Sequence, residues 1–104
     1  MADLTVTRNA DAQRYEGRLD GAGGDGPPDL ATIAYRLRDD VDPPVIALVH
    51  TEVPESLRGE GVGGRLVRQA LDDIRSRGER LLPECGFVES WVSEHPDYQD
   101  LLQG

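Results

Sequence analysis

The sequence predicts an α/β protein of the α+β kind: a mixed, mostly antiparallel sheet of about five strands with two to three helices. Three observations predict it. Apolar and polar residues alternate through most of the N-terminal half, the period of half-buried strands. The second half opens on an apolar stripe spaced three and four apart, the period of a helix. With 104 residues the chain has the size of one domain over 1–104, enough to bury one sheet against two or three helices around a single core.

Leu4-Thr5-Val6-Thr7 and Arg14-Tyr15-Glu16-Gly17-Arg18-Leu19 alternate and are separated by Asn9-Ala10-Asp11, so they read as a two-stranded hairpin. Asp20 to Pro28 is too rich in glycine, proline and aspartate to be anything but a loop. Leu30 to Leu37 alternates again, with Ala31, Ile33, Tyr35 and Leu37 on one face. After a turn over Asp39 to Pro44, the run Val45-Ile46-Ala47-Leu48-Val49-His50 is apolar to its last residue and reads as a central strand buried on both faces. Val62, Leu66, Val67, Ala70, Leu71 and Ile74 draw one helical stripe, stopped by Gly78 with Arg75 and Arg77 favourably placed in the last turn. Glu79 to Leu82 is a short strand interrupted by Pro83, and Phe87, Val88, Trp91 and Val92 make a second helical stripe, ended by Pro96. Spacing puts Phe87, Trp91 and Val92 in the core. Tyr98 to Leu102 gives one last turn.

A formal charge of −9 repels phosphate backbones, and 5% aromatic residues leave no set of stacking platforms, so nucleic acid is not an expected partner. No stretch approaches the apolar run of roughly 18 residues that crosses a bilayer. The N-terminus, Met1-Ala2-Asp3-Leu4-Thr5, has neither a basic region nor an apolar core, which makes the cytoplasm the expected location. A single cysteine, Cys85, excludes an internal disulfide and a cysteine-built zinc site, and no metal is expected. Four of the eleven basic residues, Arg58, Arg65, Arg68 and Arg75, fall within or just ahead of the long helix. A positive site in an acidic protein suits a small polyanion, although Arg68 and Arg75 are expected to pair with Asp72 or Asp73.

The segment Arg58-Gly59-Glu60-Gly61-Val62-Gly63 lies between the apolar strand and that helix. Backbone N–H groups at a helix start lack intrahelical acceptors and favour an anion, so this turn reads as a phosphate cradle. Gly59-x-Gly61-x-x-Gly64 also satisfies the dinucleotide fingerprint, with Glu79 near the position of a ribose-binding acid. Its context is wrong, because Pro54-Glu55-Ser56-Leu57-Arg58 separates the strand from the first glycine and the upstream strands read as antiparallel. A nucleotide-triphosphate P-loop lacks its lysine and hydroxyl after Gly64.

The spacing Arg58-x-x-Gly61-x-Gly63 resembles the acetyl-coenzyme A pyrophosphate loop of the GNAT acetyltransferase superfamily. His50-Thr51-Glu52-Val53-Pro54 before it, Pro83-x-Cys85-x-Phe87-Val88 after it and His95-Pro96-x-Tyr98 near the end resemble a small, single-domain branch of that superfamily. The resemblance implies a GNAT-like sheet and an N-acetyltransferase that moves the acetyl group of acetyl-coenzyme A to an amine on a small molecule or a protein. The alternative is a module that binds coenzyme A or acyl-coenzyme A with little turnover. The two helices that superfamily members carry between their first two strands are missing, so the acceptor site is expected to be open and shallow. The implied cofactor residues are Val53, pairing with the pantetheine amides, Gly59, Gly61, Val62, Gly63 and Gly64, offering main-chain N–H groups, and Arg58 and Arg65, supplying charge. Glu60 is expected to point to solvent. His50 and Cys85 are expected to line one cleft from opposite sides, His50 as the base and Cys85 as acid, acyl-accepting nucleophile or packing residue. Glu84 beside Cys85 is expected to raise the thiol pKa. Tyr98 is either a third candidate acid or part of a turn that folds back over the sheet.

Overall fold

A computed structural model of the chain describes residues 3–19, 29–58 and 61–102. The loop expected over 20–28 and the cradle residues Gly59 and Glu60 lie outside them. Five strands, β1 (Leu4–Asn9), β2 (Arg14–Leu19), β3 (Ala31–Arg38), β4 (Val45–Glu52) and β5 (Arg80–Pro83), form one sheet in sequence order. Neighbours from β1 to β4 are antiparallel, whereas β4 and β5 run parallel. Helix α1 (Val62–Ser76) makes the crossover between β4 and β5, as a parallel pair requires. Helix α2 (Gly86–Ser93) follows, and a 3-10 turn over Pro96–Leu101 brings Leu102 beside Leu81. This is the mixed, mostly antiparallel sheet with helices that the alternation and the helical stripe predict.

The main core lies on the α1 face of the sheet, and on the other face Val45 and Ala47 are also buried, so β4 is buried on both faces over its first four residues, as its apolar run predicts. Tyr15, Ile33, Tyr35, Ile46 and Leu48 meet Val62, Leu66, Val67, Ala70, Leu71 and Ile74 of α1 in a single core, which takes in every residue of the predicted α1 stripe. Val88 and Val92 bring α2 onto the same core. One expectation fails: Phe87, placed in the core by spacing, is 47% exposed. Leu37 keeps to the face of Tyr35, opposite Ile46, but is exposed because the last residues of β3 run beyond the core. The hairpin is longer than its alternation suggests, since Arg8 faces Tyr15 and Asn9 faces Arg14 in register.

That extra length positions a buried ion pair. Arg8 donates to both carboxylate oxygens of Glu79, at 3.0 Å and 2.6 Å, and to the Tyr15 hydroxyl at 3.0 Å and 2.6 Å. Tyr15 in turn donates to Asp73 Oδ2 at 2.7 Å, which also accepts from Arg77 Nε at 2.8 Å. Burial, then the bond to Asp73, pushes the Tyr15 phenol well above its ordinary value, so it remains a donor. Side-chain exposure is 6% for Arg8 and 7% for Glu79, so neither charge has solvent to fall back on. The network ties the hairpin to the C-terminal end of α1 and the entry to β5. Glu79, which could be counted as a ribose-binding acid, is thus committed to Arg8 inside the fold.

Glu79→Ala strands a buried guanidinium and is expected to cost about 3–5 kcal/mol, read by denaturant unfolding. Replacing both partners with apolar residues (Arg8→Met with Glu79→Leu) is expected to recover most of that loss. A loss under about 1 kcal/mol for Glu79→Ala would mean that the pair is screened by water.

Candidate functional site

The site begins with a fault in the sheet. In the β3–β4 ladder Ala34 faces His50 while Tyr35 faces Leu48, so Val49 is an extra residue on β4. On the other side the β4–β5 ladder ends at Leu48 opposite Pro83, which has no N–H to carry it further. The chain then turns through Glu84, whose N–H donates to Leu82 O at 3.1 Å, while the Cys85 N–H donates to Leu48 O at 2.9 Å. β4 runs on to Glu52 without β5 beside it, so the two strands part from Val49 onward.

The bulge also reverses which residues face the helices. Leu48 and, beyond the bulge, Thr51 opposite the buried Ile33 lie on the packed face. His50 and Glu52 therefore lie on the other face. Thr51 Oγ1 sits 3.4 Å from Cys85 Sγ, and His50 Nε2 sits 3.6 Å from Glu52 Oε1 with both side chains mostly exposed. His50 and Cys85, expected to line one cleft from opposite sides, instead approach β4 from opposite faces; the cavity lined by His50 does not include Cys85, and no contact joins the two among the described residues.

After β4, a 3-10 turn over Glu55–Leu57 anchored by buried Leu57 leads to Arg58, whose Nε donates to Val53 O at 3.2 Å. Gly61 is the N-cap of α1 with φ 65°, a left-handed conformation that a residue with a Cβ adopts only at a cost. No side chain caps the helix, and its first backbone bond is Arg65 N–H to Gly61 O at 3.0 Å. The N–H groups of Val62, Gly63 and Gly64 precede that bond and have no intrahelical acceptor. A cavity of about 300 Å³ opens there, lined by Val53, Arg58, residues 61–64 and Phe87. The predicted cofactor residues thus gather at one mouth, with Arg65 on the first turn of α1 and Gly59 outside the described residues. Phe87 joins them unannounced. A Cβ on Gly63 would stand 2.8 Å from Phe87 Cζ, so the ring lies against the helix start and glycine is what lets it approach.

Cys85 is the N-cap of α2. Burial alone would raise its thiol, but hydrogen bonding from Thr51 and the N–H groups of Val88 and Phe87 outweigh it and hold the thiol below its ordinary value. Those amides belong to the first turn of α2, where N–H groups lack intrahelical acceptors and favour a negative charge. The expected upward push from Glu84 is overruled by the start of α2.

Tyr98 belongs elsewhere. Its hydroxyl donates to Asp72 Oδ1 at 2.7 Å, Arg68 Nη1 reaches it at 3.3 Å, and its ring lies edge-on to Trp91 at 5.2 Å. His95 stacks on Trp91 at 3.7 Å and bonds Trp91 O through Nδ1. These residues fold the C-terminal turn against α1, the packing alternative for Tyr98. Arg68 and Arg75 serve the same turn rather than Asp72 or Asp73: Arg68 lies over the Trp91 and Tyr98 rings, and Arg75 binds Asp100 and the Asp97 carbonyl. Among the described residues no group of His, Cys, Asp and Glu could hold a metal ion, and no helix is long and apolar enough to cross a membrane.

Comparison with known proteins places this geometry. A family model described as GCN5-related N-acetyl-transferase matches residues 14–101. Protein NATD1 of Bos taurus is 32% identical over 102 residues, 96% of this chain and 83% of the relative. Protein NATD1 of Homo sapiens is 31% identical over the same share of each chain. The solution structure of a GCN5-like protein from Staphylococcus aureus superimposes with a TM-score of 0.65 at 26% identity, covering 100% of this chain and 92% of that one.

Because Cys85 is the single cysteine, its alkylation reads one site. The rate with iodoacetamide should titrate with a midpoint below that of a cysteine in an unstructured peptide measured alongside, and Thr51→Val should move the midpoint up. A wild-type midpoint at or above that of the peptide would contradict the assigned environment.

Proposed function

The chain belongs to the GCN5-related N-acetyltransferase family, and on that premise we propose that it transfers an acetyl group from acetyl-coenzyme A to an amine. The observation that carries the reading is the parting of β4 from β5 directly beside an uncapped helix start. The N–H groups of residues 61–64 receive the diphosphate, with Arg58 and Arg65 adding charge-assisted bonds to its oxygens. Arg58 now holds Val53 O, so cofactor entry exchanges that contact for phosphate and leaves the edge of β4 at Val53 for the pantetheine amides. Acetyl-coenzyme A supplies an activated acyl carbonyl. The amine nitrogen bonds to the acetyl carbon as the carbon–sulfur bond breaks, and the proton that nitrogen loses ends on the departing sulfur.

His50 takes that proton from the open side of β4. Cys85 waits on the packed side with its thiol pKa held below the ordinary value. This favours the two-step role among those open to it: the Cys85 sulfur bonds to the acetyl carbon as the bond to coenzyme A breaks, the Cys85 thiol proton passes to the departing sulfur, and the amine then takes the acetyl group from Cys85, whose sulfur regains the proton that the nitrogen loses. The second reading, a coenzyme A binding module with little turnover, draws its support from the placement of His50 and Cys85 on opposite faces of one strand.

Acetyl-coenzyme A at a hundredfold excess over its Kd should stabilise the fold by about 2.7 kcal/mol. In a domain of this size that is a rise of roughly 10 °C or more in Tm. No shift removes both readings. In transfer assays His50→Ala should lower kcat by about 10²–10⁴ with cofactor affinity unchanged; an unchanged kcat removes His50 from the mechanism. All eleven basic residues are arginine, so the chain has no lysine to take acetyl label. Label retained by the protein and released by hydroxylamine therefore reports acetyl-Cys85, and its absence in single-turnover experiments would exclude the two-step route.

A further inference from the structure

The sheet face opposite the two helices carries a path that leads to the site. One cavity, about 450 Å³, is lined by His50, Thr51, Glu52, Val53, Arg58 and Leu30, among others, and shares Val53 and Arg58 with the cavity at the start of α1. A second, about 370 Å³, lies over β1 and β2 among Thr7, Glu16 and Arg18 and shares Leu30 with the first. The register sets Thr7, Glu16, Thr32 and Glu52 side by side across the sheet, so the three cavities follow one another from β1 to the start of α1. Both helices pack on the opposite face, so no helix among the described residues covers this path.

Its length and charge argue for one kind of occupant. From β4 to β1 is three strand spacings, about 14 Å, which an extended polypeptide covers with about four residues. A small amine fills only the His50 end. A polyamine asks for an acidic wall, but here Glu16 and Glu52 are interspersed with Arg18 and Arg58, and Glu16 is already held by Arg14 at 2.7 Å. Thr7 and, between the cavities, Thr32 offer hydroxyls that serve main-chain amides and carbonyls alike, and Leu30 gives an apolar contact at the junction.

We propose that the acceptor is a polypeptide segment lying extended across this face, from Thr7 through Leu30 to Glu52, with its amine delivered to His50. The inference rests on the acetyl-transfer reading and adds the substrate class to it. Glu52, on the same face as His50 and 3.6 Å from its Nε2, faces the incoming ammonium group and favours it until His50 takes the proton. The nitrogen then bonds to the acetyl carbon while sulfur leaves and gains the proton, as above.

The test gives labelled acetyl-coenzyme A to the wild type with, separately, a mixed-sequence heptapeptide pool bearing free N-termini, spermidine and butylamine. The pool is expected to exceed butylamine in kcat/KM at least tenfold. Thr7→Trp, at an exposed position far from His50, should raise the pool's KM at least fivefold with kcat and the butylamine rate unchanged. Butylamine or spermidine matching the pool, or a KM indifferent to Thr7→Trp, overturns the proposal. Binding is read without turnover from ¹⁵N spectra: the pool should move the amides of Thr7, Glu16 and Thr32 and spare α1. Absence of those shifts overturns the proposal even if the enzyme is silent. Those shifts without transfer support the groove and count against the acetyl-transfer reading instead.

Discussion

The extra residue at Val49 is the constraint on which the site depends. Without it β4 would keep its alternation, Thr51 would leave the packed face and lose Cys85, and His50 would turn inward. Together with the loss of the β4–β5 ladder at Pro83, the bulge leaves a stretch of strand whose outer edge has no partner strand among the described residues. In most sheets such an edge is a liability. Here it lies between a helix start that no side chain caps among the described residues and a thiol at the start of a second helix, and on the reading proposed above an extended ligand arm pairs along it.

The rest of the fold works to keep that fault local. At the end of α1 away from the cradle, Arg8, Glu79, Tyr15 and Asp73 lock hairpin, helix and β5 entry together through charge-assisted bonds in a nearly dry setting. At its other end the first turn of α1 carries glycines and no cap. The Trp91, His95 and Tyr98 cluster holds α2 and the C-terminal turn against the middle of α1. Rigid packing thus surrounds an under-bonded helix start, which is what preorganised anion binding needs.

The elements that the sequence makes legible are those governed by local period. The α1 stripe and the hairpin alternation carry their own signal, and the glycine-rich turn announces a helix start because glycine and the missing cap act over a few residues. Long-range facts leave no such trace. Arg8 and Glu79 are 71 positions apart, and β-strand alternation shows nothing of a bulge that depends on the partner strand. Phe87 has the spacing of a core residue, yet it sits at the open rim of the α1–α2 contact, where the ring covers Gly63 instead of entering the sheet. Glu84 beside Cys85 points the wrong way for the thiol because the N–H groups of a helix that begins at the cysteine leave no trace in the sequence until the helix has a direction. Arg68 and Arg75 lie one turn from acidic residues of their own helix but find better partners in the C-terminal turn, whose position is purely tertiary.

The central claim is that main-chain N–H groups at the start of α1 grip a diphosphate while an arm of the same ligand runs along the parted edge of β4. A ¹H–¹⁵N titration with coenzyme A tests it most directly. The account predicts the largest shifts at Val53, Gly61, Val62, Gly63 and Gly64, with a further response at Thr51 and Cys85 and none at Arg8 or Glu79. Saturable binding whose shifts spare residues 61–64, or gather at the Arg8 end of the sheet, would contradict it.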